Sequence, residues 1–79
     1  MTMFERVKNV LVTNLQIDEN EIKPESELVN DLGVNSLELA DLVLTCEEEF
    51  NIEIEDAACR SFVTVGDVVK YLEGVVKDA

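Results

Sequence analysis

The stretch Asp31-Leu32-Gly33-Val34-Asn35-Ser36-Leu37-Glu38-Leu39 is read as the point where a loop turns into a long acidic helix, and the rest of the chain is read outward from it. Asn35 is a favoured N-cap residue and Glu38 stands three positions later. Each side chain is therefore expected to bind the other residue's backbone N–H in a box-like arrangement. Ser36 then occupies the first helical position, its hydroxyl is not needed for the cap, and it is expected to point to solvent. The helix is predicted from Ser36 to about Phe50. At about 100° per residue, Leu39, Leu42, Val43, Cys46 and Phe50 form one stripe, assigned to the core. The opposite side carries Leu37, Asp41, Leu44 and Glu48, with Ala40 and Thr45 at its edges. Two leucines on an otherwise acidic outward face break the binary pattern, as contact surfaces do. Cover by neighbouring helices is the alternative.

Upstream, Thr2 followed by Glu5 predicts a second capping box and a helix from about Met3 to Leu15, with Val7, Val10, Leu11 and Leu15 on one face. Phe4 either extends that stripe or stays partly exposed. From Gln16 to Asn35 the periodicity breaks around Pro24 and Gly33. Ile17, Ile22, Leu28 and Leu32 are expected to pin this long segment across the helix ends, and segments of this kind are often functional. Downstream, Asn51 to Glu55 is a connector with Ile52 or Ile54 tucked inward. A short helical turn follows over Asp56 to Arg60, with Asp56 as its cap. A last helix runs from Val65 to about Val76, capped by Thr64 with Asp67 at its third position. Val68, Val69, Leu72 and Val76 make its inner face, with Tyr71 near the edge. A strand over Phe62 to Val69 fails on length and on Gly66. The expected fold is all-α: a small four-helix bundle, three longer helices plus one short, with a long loop between helices 1 and 2.

Seventy-nine residues, 47% of them apolar, predict one globular domain over 1–79. Its core is too small for a deep pocket walled by several layers, which weighs against a self-sufficient enzyme. Eighteen acidic against six basic residues leave a net charge of -12, which excludes a nucleic-acid role and disfavours anionic membrane surfaces. Between Lys23 and Arg60 there is no basic residue, whereas acids recur from Glu25 to Asp56. Such a field attracts basic partners and speeds their association. The plainer reading is a solvated surface that keeps the protein soluble. Histidine is absent, and with it the commonest general base and metal ligand. Cys46 and Cys59 have neither the spacing nor the companions of a zinc site. They fall on apolar stripes and are expected to be buried, reduced thiols, with a disulfide as the alternative. Asp18-Glu19-Asn20-Glu21 lacks the glycine and terminal Glu of a calcium loop and is read as surface. No signal pattern or membrane-length apolar run is present, so a cytoplasmic protein is expected.

Leu32-Gly33-Val34-Asn35-Ser36-Leu37-Glu38 resembles the phosphopantetheine attachment motif of acyl carrier proteins. The similarity continues through Leu42-Val43, Glu47-Glu48-Glu49-Phe50, Ile54 and Thr64-Val65-Gly66-Asp67, and covers nearly the whole chain. The resemblance implies a discrete bacterial-type carrier, not an enzyme and without catalytic residues. Its 4'-phosphopantetheine arm would be moved from coenzyme A onto Ser36 by a phosphopantetheinyl transferase. Acyl groups would then ride on the arm's thiol to acyl-transferring and chain-elongating enzymes of fatty-acid or related lipid synthesis. Those enzymes present basic patches, and the residues implied to meet them are Leu37, Glu38, Asp41, Leu44, Glu47, Glu48, Glu53 and Asp56. The chain is expected to act as a monomer that neither binds metal specifically nor inserts into membranes. Asn35 departs from the family's usual Asp before the serine, which hints at a specialised carrier, and Glu55 stands where a proline is common.

Two alternatives stay open. One is a carrier of the same fold with polyketide or aminoacyl cargo. The other is an unmodified acidic helical protein that only binds a basic partner. Under any of these readings the charge opposes folding by self-repulsion. Raising NaCl from about 10 mM to about 0.15 M shortens the screening length from about 30 Å to about 8 Å. The thermal midpoint is expected to rise over that interval, and a flat or falling midpoint in a calorimetric or circular-dichroism melt contradicts the self-repulsion argument.

Overall fold

A polar side chain fixes the start of each long helix in the computed structural model, which describes residues 2–76. α1 (Met3–Leu15) opens on Thr2: the Glu5 N–H donates to Thr2 Oγ1 at 3.1 Å and the Thr2 N–H donates to Glu5 Oε1 at 2.9 Å. α2 (Ser36–Phe50) opens on the reciprocal pair Asn35 and Glu38. After the short α3 (Asp56–Arg60), α4 (Val65–Val75) opens on Thr64 and Asp67, whose carboxylate also accepts the Val63 N–H at 3.0 Å. These are the predicted boxes. Backbone N–H donors hold two of the carboxyls below their ordinary values: chiefly that of Thr2 for Glu5, and those of Thr64 and Val63 for Asp67. The sign follows from linkage. Both groups add stability above the ordinary carboxylate range and lose it as pH falls through their lowered folded values.

α1 and α2 end on residues in the left-handed region, Gln16 (φ 56°) and Asn51 (φ 55°). Asparagine tolerates that conformation well, which suits it to close a helix. The predicted cap of α3 is corrected. Asp56 is the first helical residue, and Glu55 stands in the cap position without a side-chain bond to the helix, because its longer side chain is poorly suited to reach the nearby N–H groups.

α1 packs against both α2 and α4. The predicted stripes meet there: Val7, Val10 and Leu11 with Leu42, Cys46 and Phe50, and with Val65, Val68 and Leu72. Phe4, Leu15 and Val69 pack at the margin, half-buried. Asn14 Nδ2 donates to Thr45 Oγ1 at 2.7 Å, and the Arg6 guanidinium lies 4.4 Å over the Phe50 ring, so polar contacts bind α1 to α2 outside the core. Phe62 and Tyr71 meet edge-on at 5.6 Å, closing the junction between α3 and α4.

The segment between α1 and α2 is tied down as expected, with Ile22 and Leu28 buried and Ile17 and Leu32 half-buried. Val34, which the periodicity left unassigned, is also buried. Three backbone bonds stitch the segment to the α3–α4 junction: Leu28 N–H to Val63 C=O (2.9 Å), Val65 N–H to Ser26 C=O (3.0 Å) and Gly66 N–H to Pro24 C=O (2.8 Å). Glu27 and Thr64 form an isolated antiparallel bridge, and among the described residues no longer strand occurs. Gly66 is needed at this stitch, since a Cβ there would stand 2.9 Å from the Pro24 carbonyl oxygen. A single 3₁₀ turn, Glu19–Glu21, lies within the acidic cluster and is capped by Asp18.

Ser26 is buried at 7% exposure, and its hydroxyl accepts the Lys23 N–H at 3.0 Å while donating to the Glu21 carbonyl at 2.9 Å. Ser26→Ala leaves both backbone groups short of a partner. It is expected to cost about 1–3 kcal/mol in urea unfolding with an unchanged slope. An unshifted midpoint shows the hydroxyl bridge to be dispensable.

Candidate functional site

Gly33, at φ 71°, turns the chain just before α2, and the Val34 N–H donates to the Leu28 carbonyl at 2.8 Å. That turn delivers Asn35 to the helix start. The Glu38 N–H donates to Asn35 Oδ1 at 2.8 Å and the Asn35 N–H donates to Glu38 Oε1 at 3.1 Å, so Asn35 does the capping. Ser36 is exposed at the first helical position. A helix N-terminus there presents backbone N–H groups and the positive end of the dipole, which favour an attached anion.

An open cleft of about 490 Å³ begins at Ser36 and runs between α2 and α3. Leu39, Val43 and Ile54 supply apolar wall, Ala40 and Leu44 stand along it on α2, and Asp56 and Cys59 close it from α3. This explains a departure from the predicted core stripe. Leu39 and Val43 are half-buried because they face the cleft, whereas Leu42, Cys46 and Phe50 are buried. It also resolves the Ile52/Ile54 alternative: Ile54 is buried and lines the cleft, Ile52 is half-buried at the core margin.

The predicted contact residues divide into two groups. Leu37 is 82% exposed and Leu44 59% exposed, so neighbouring helices leave both leucines uncovered. Asp41, Glu48, Glu53 and Asp56 are likewise exposed. Glu38 and Glu47 are half-buried and already engaged, Glu38 in the cap and Glu47 through Oε2, which accepts the Ile54 N–H at 2.7 Å. Sequence reasoning missed that second bond, since nothing in the spacing announces a contact across the turn after α2.

Both cysteines are free thiols, but only one matches the expected burial. Cys46 is fully buried, and desolvation, with Glu49 and Glu47 adding repulsion, pushes its thiol up to about 12. Cys59 is half-buried in the cleft wall because five-residue α3 buries no residue completely. Its pKa is raised mainly by desolvation, then by Asp56 and Glu47. Among the described residues no three metal-ligating side chains cluster, and no helix is long and apolar enough to cross a membrane.

Comparison with known proteins agrees with this geometry. The family model for the phosphopantetheine attachment site matches residues 5–72. An acyl carrier protein of Wolinella succinogenes is 47% identical over 73 residues, covering 92% of this chain and 96% of that protein. One of Helicobacter pylori is 45% identical over 73 residues, covering 92% and 94%. The chain belongs to the acyl carrier proteins, which bear covalent 4'-phosphopantetheine and are carriers, not enzymes.

A raised pKa and burial together slow a thiol's reaction, because the thiolate is the nucleophile. With a chromogenic disulfide at mildly alkaline pH, the native, unmodified chain is expected to titrate slowly at Cys59 and not at Cys46. In urea both should react. Rapid reaction of two thiols in the native state contradicts the burial of Cys46.

Proposed function

We propose that Ser36 bears the 4'-phosphopantetheine arm and that residues 1–79 act as one carrier domain. It would hold acyl groups as thioesters and deliver them to enzymes of fatty-acid or related lipid synthesis. One observation carries this reading. Ser36 is the exposed first residue of α2, relieved of capping by Asn35, and it opens on an apolar cleft. The residues present fit the group: a free hydroxyl for the phosphodiester, a helix N-terminus for its charge, and a groove for an aliphatic cargo. When bound, the arm supplies a mobile thiol whose thioesters are activated at the carbonyl and acidic at the α-carbon.

The chain's own residues do the remaining work. Gly33 and the Asn35–Glu38 box hold Ser36 at the helix start. Leu39, Val43 and Ile54 offer cargo a surface away from water. Leu37 and Leu44 give apolar contact, and Asp41, Glu48, Glu53 and Asp56 attract the basic patches of partner enzymes, starting with the phosphopantetheinyl transferase. Glu38 and Glu47 contribute charge to the same field while bound to the backbone. Exposed ion pairs are individually weak, so docking through several of them is fast and reversible, as a shuttle requires. The carrier works as a monomer in the cytoplasm.

A second reading, a specialised carrier for polyketide or aminoacyl cargo, is favoured by Asn35. It keeps the cap but removes one negative charge beside the attachment point. The acidity of α2 weighs towards acyl cargo. Incubation with coenzyme A and a phosphopantetheinyl transferase, read by intact mass, is expected to add one arm to the wild type and none to Ser36→Ala. No gain in the wild type, or gain in the variant, overturns the assignment and leaves an unmodified interaction protein. Loading by a malonyl transferase supports the lipid reading, and loading only by an adenylating ligase supports the second.

A further inference from the structure

The connector between α2 and α3 depends on one residue to an unusual degree. The backbone carbonyl of Glu47 accepts the Asn51 N–H and, at 3.1 Å, the Ile52 N–H. The same residue's carboxylate accepts the Ile54 N–H at 2.7 Å. Three N–H groups of a five-residue connector therefore end on Glu47. Beyond it, α3 has little else to hold it. It has no side-chain cap, buries no residue, and its backbone bonds are local, among them Cys59 N–H to Glu55 C=O, Ser61 N–H to Ala58 C=O and Phe62 N–H to Cys59 C=O. Phe62, buried against Tyr71, is the anchor at its far end. Ile54, Asp56 and Cys59 on this strap form one side of the cleft, and Glu47 lines the cleft from α2.

We propose that Glu47 is a positioning residue whose carboxylate, by holding the Ile54 N–H, fastens the α2–α3 strap over the cleft and so keeps cargo shielded from water. The two carbonyl bonds belong to the end of α2 and fix the turn. Only the carboxylate bond reaches Ile54, the residue that places the strap's apolar side chain in the cleft wall. A carboxylate acceptor makes a stronger bond to an amide than a neutral group does, which suits a strap with so few other contacts. Glu47 thereby has a task in the chain itself, apart from any contribution to the acidic docking field. The cargo half of this inference rests on the carrier reading above. The strap half does not.

Glu47→Ala removes the carboxylate and leaves both backbone bonds and the helical propensity of α2 intact. Amide hydrogen exchange on the unmodified chain is expected to show Ile54 and the α3 amides exchanging about tenfold faster in Glu47→Ala, with α1 and α4 unchanged. Glu47→Gln, which keeps an acceptor oxygen, is expected to stay within about threefold of wild type. An unchanged Ile54 amide, or equal acceleration in α1 and α4, overturns the strap. For the cargo half, wild type and Glu47→Ala are loaded with an octanoyl thioester on the arm and treated with hydroxylamine. Release is expected to be several-fold faster from Glu47→Ala, and equal rates overturn the shielding. If the wild type takes up no arm by mass, the carrier reading and the cargo half fall together, while the exchange measurement still decides the strap.

Discussion

The twenty residues between α1 and α2 contain only a three-residue 3₁₀ turn, so most of their backbone N–H and C=O groups must find partners outside regular structure. The solution is the stitch to the α3–α4 junction, where Pro24, Ser26 and Leu28 pair with Gly66, Val65 and Val63. Everything about the site depends on it. Leu28, fixed by Val63, in turn accepts the Val34 N–H and sets the turn at Gly33. Val34, buried, then delivers Asn35 to the head of α2. A serine on a loop free to wander would have no defined relation to a helix dipole or to a cleft. Here it has both.

Two adjacent residues divide the labour at that helix start. Asn35 meets the structural demand of an unsatisfied N–H, and Ser36 is left exposed. The same economy recurs at the other end of α2, where Glu47 closes the helix with its carbonyl and reaches the connector with its carboxylate. Between these ends, α2 turns three surfaces to three environments. Leu42, Cys46 and Phe50 meet the core, Leu39 and Val43 the cleft, and Leu37, Asp41 and Glu48 the solvent.

The helices and their caps were legible in the sequence because capping boxes and apolar periodicity are local: Thr2–Glu5, Asn35–Glu38 and Thr64–Asp67 each lie within four residues, and all three form. The exposure of Leu37 and Leu44 was legible as a break in the pattern. What escaped was set by tertiary contact. Val34 lies in a segment without periodicity, and only the stitch explains its burial. Leu39 and Val43 sit on the predicted core stripe, yet the gap between α2 and α3 is a property of two elements and of neither alone. Cys59 is half-exposed for the same reason. The Asp56 cap failed by one position: Asp56 is already helical, and Glu55 before it makes no side-chain bond to the helix start.

The edge-on pair of Phe62 and Tyr71 has a consequence for observation. The chain has one tyrosine and no tryptophan, so its near-ultraviolet absorption and intrinsic fluorescence come chiefly from Tyr71, with only weak phenylalanine beneath. That ring packs on the residue that anchors the far end of the α3 strap. The molecule therefore carries an optical reporter at the junction of α3 and α4, beside the anchor of the strap, with no label to be introduced.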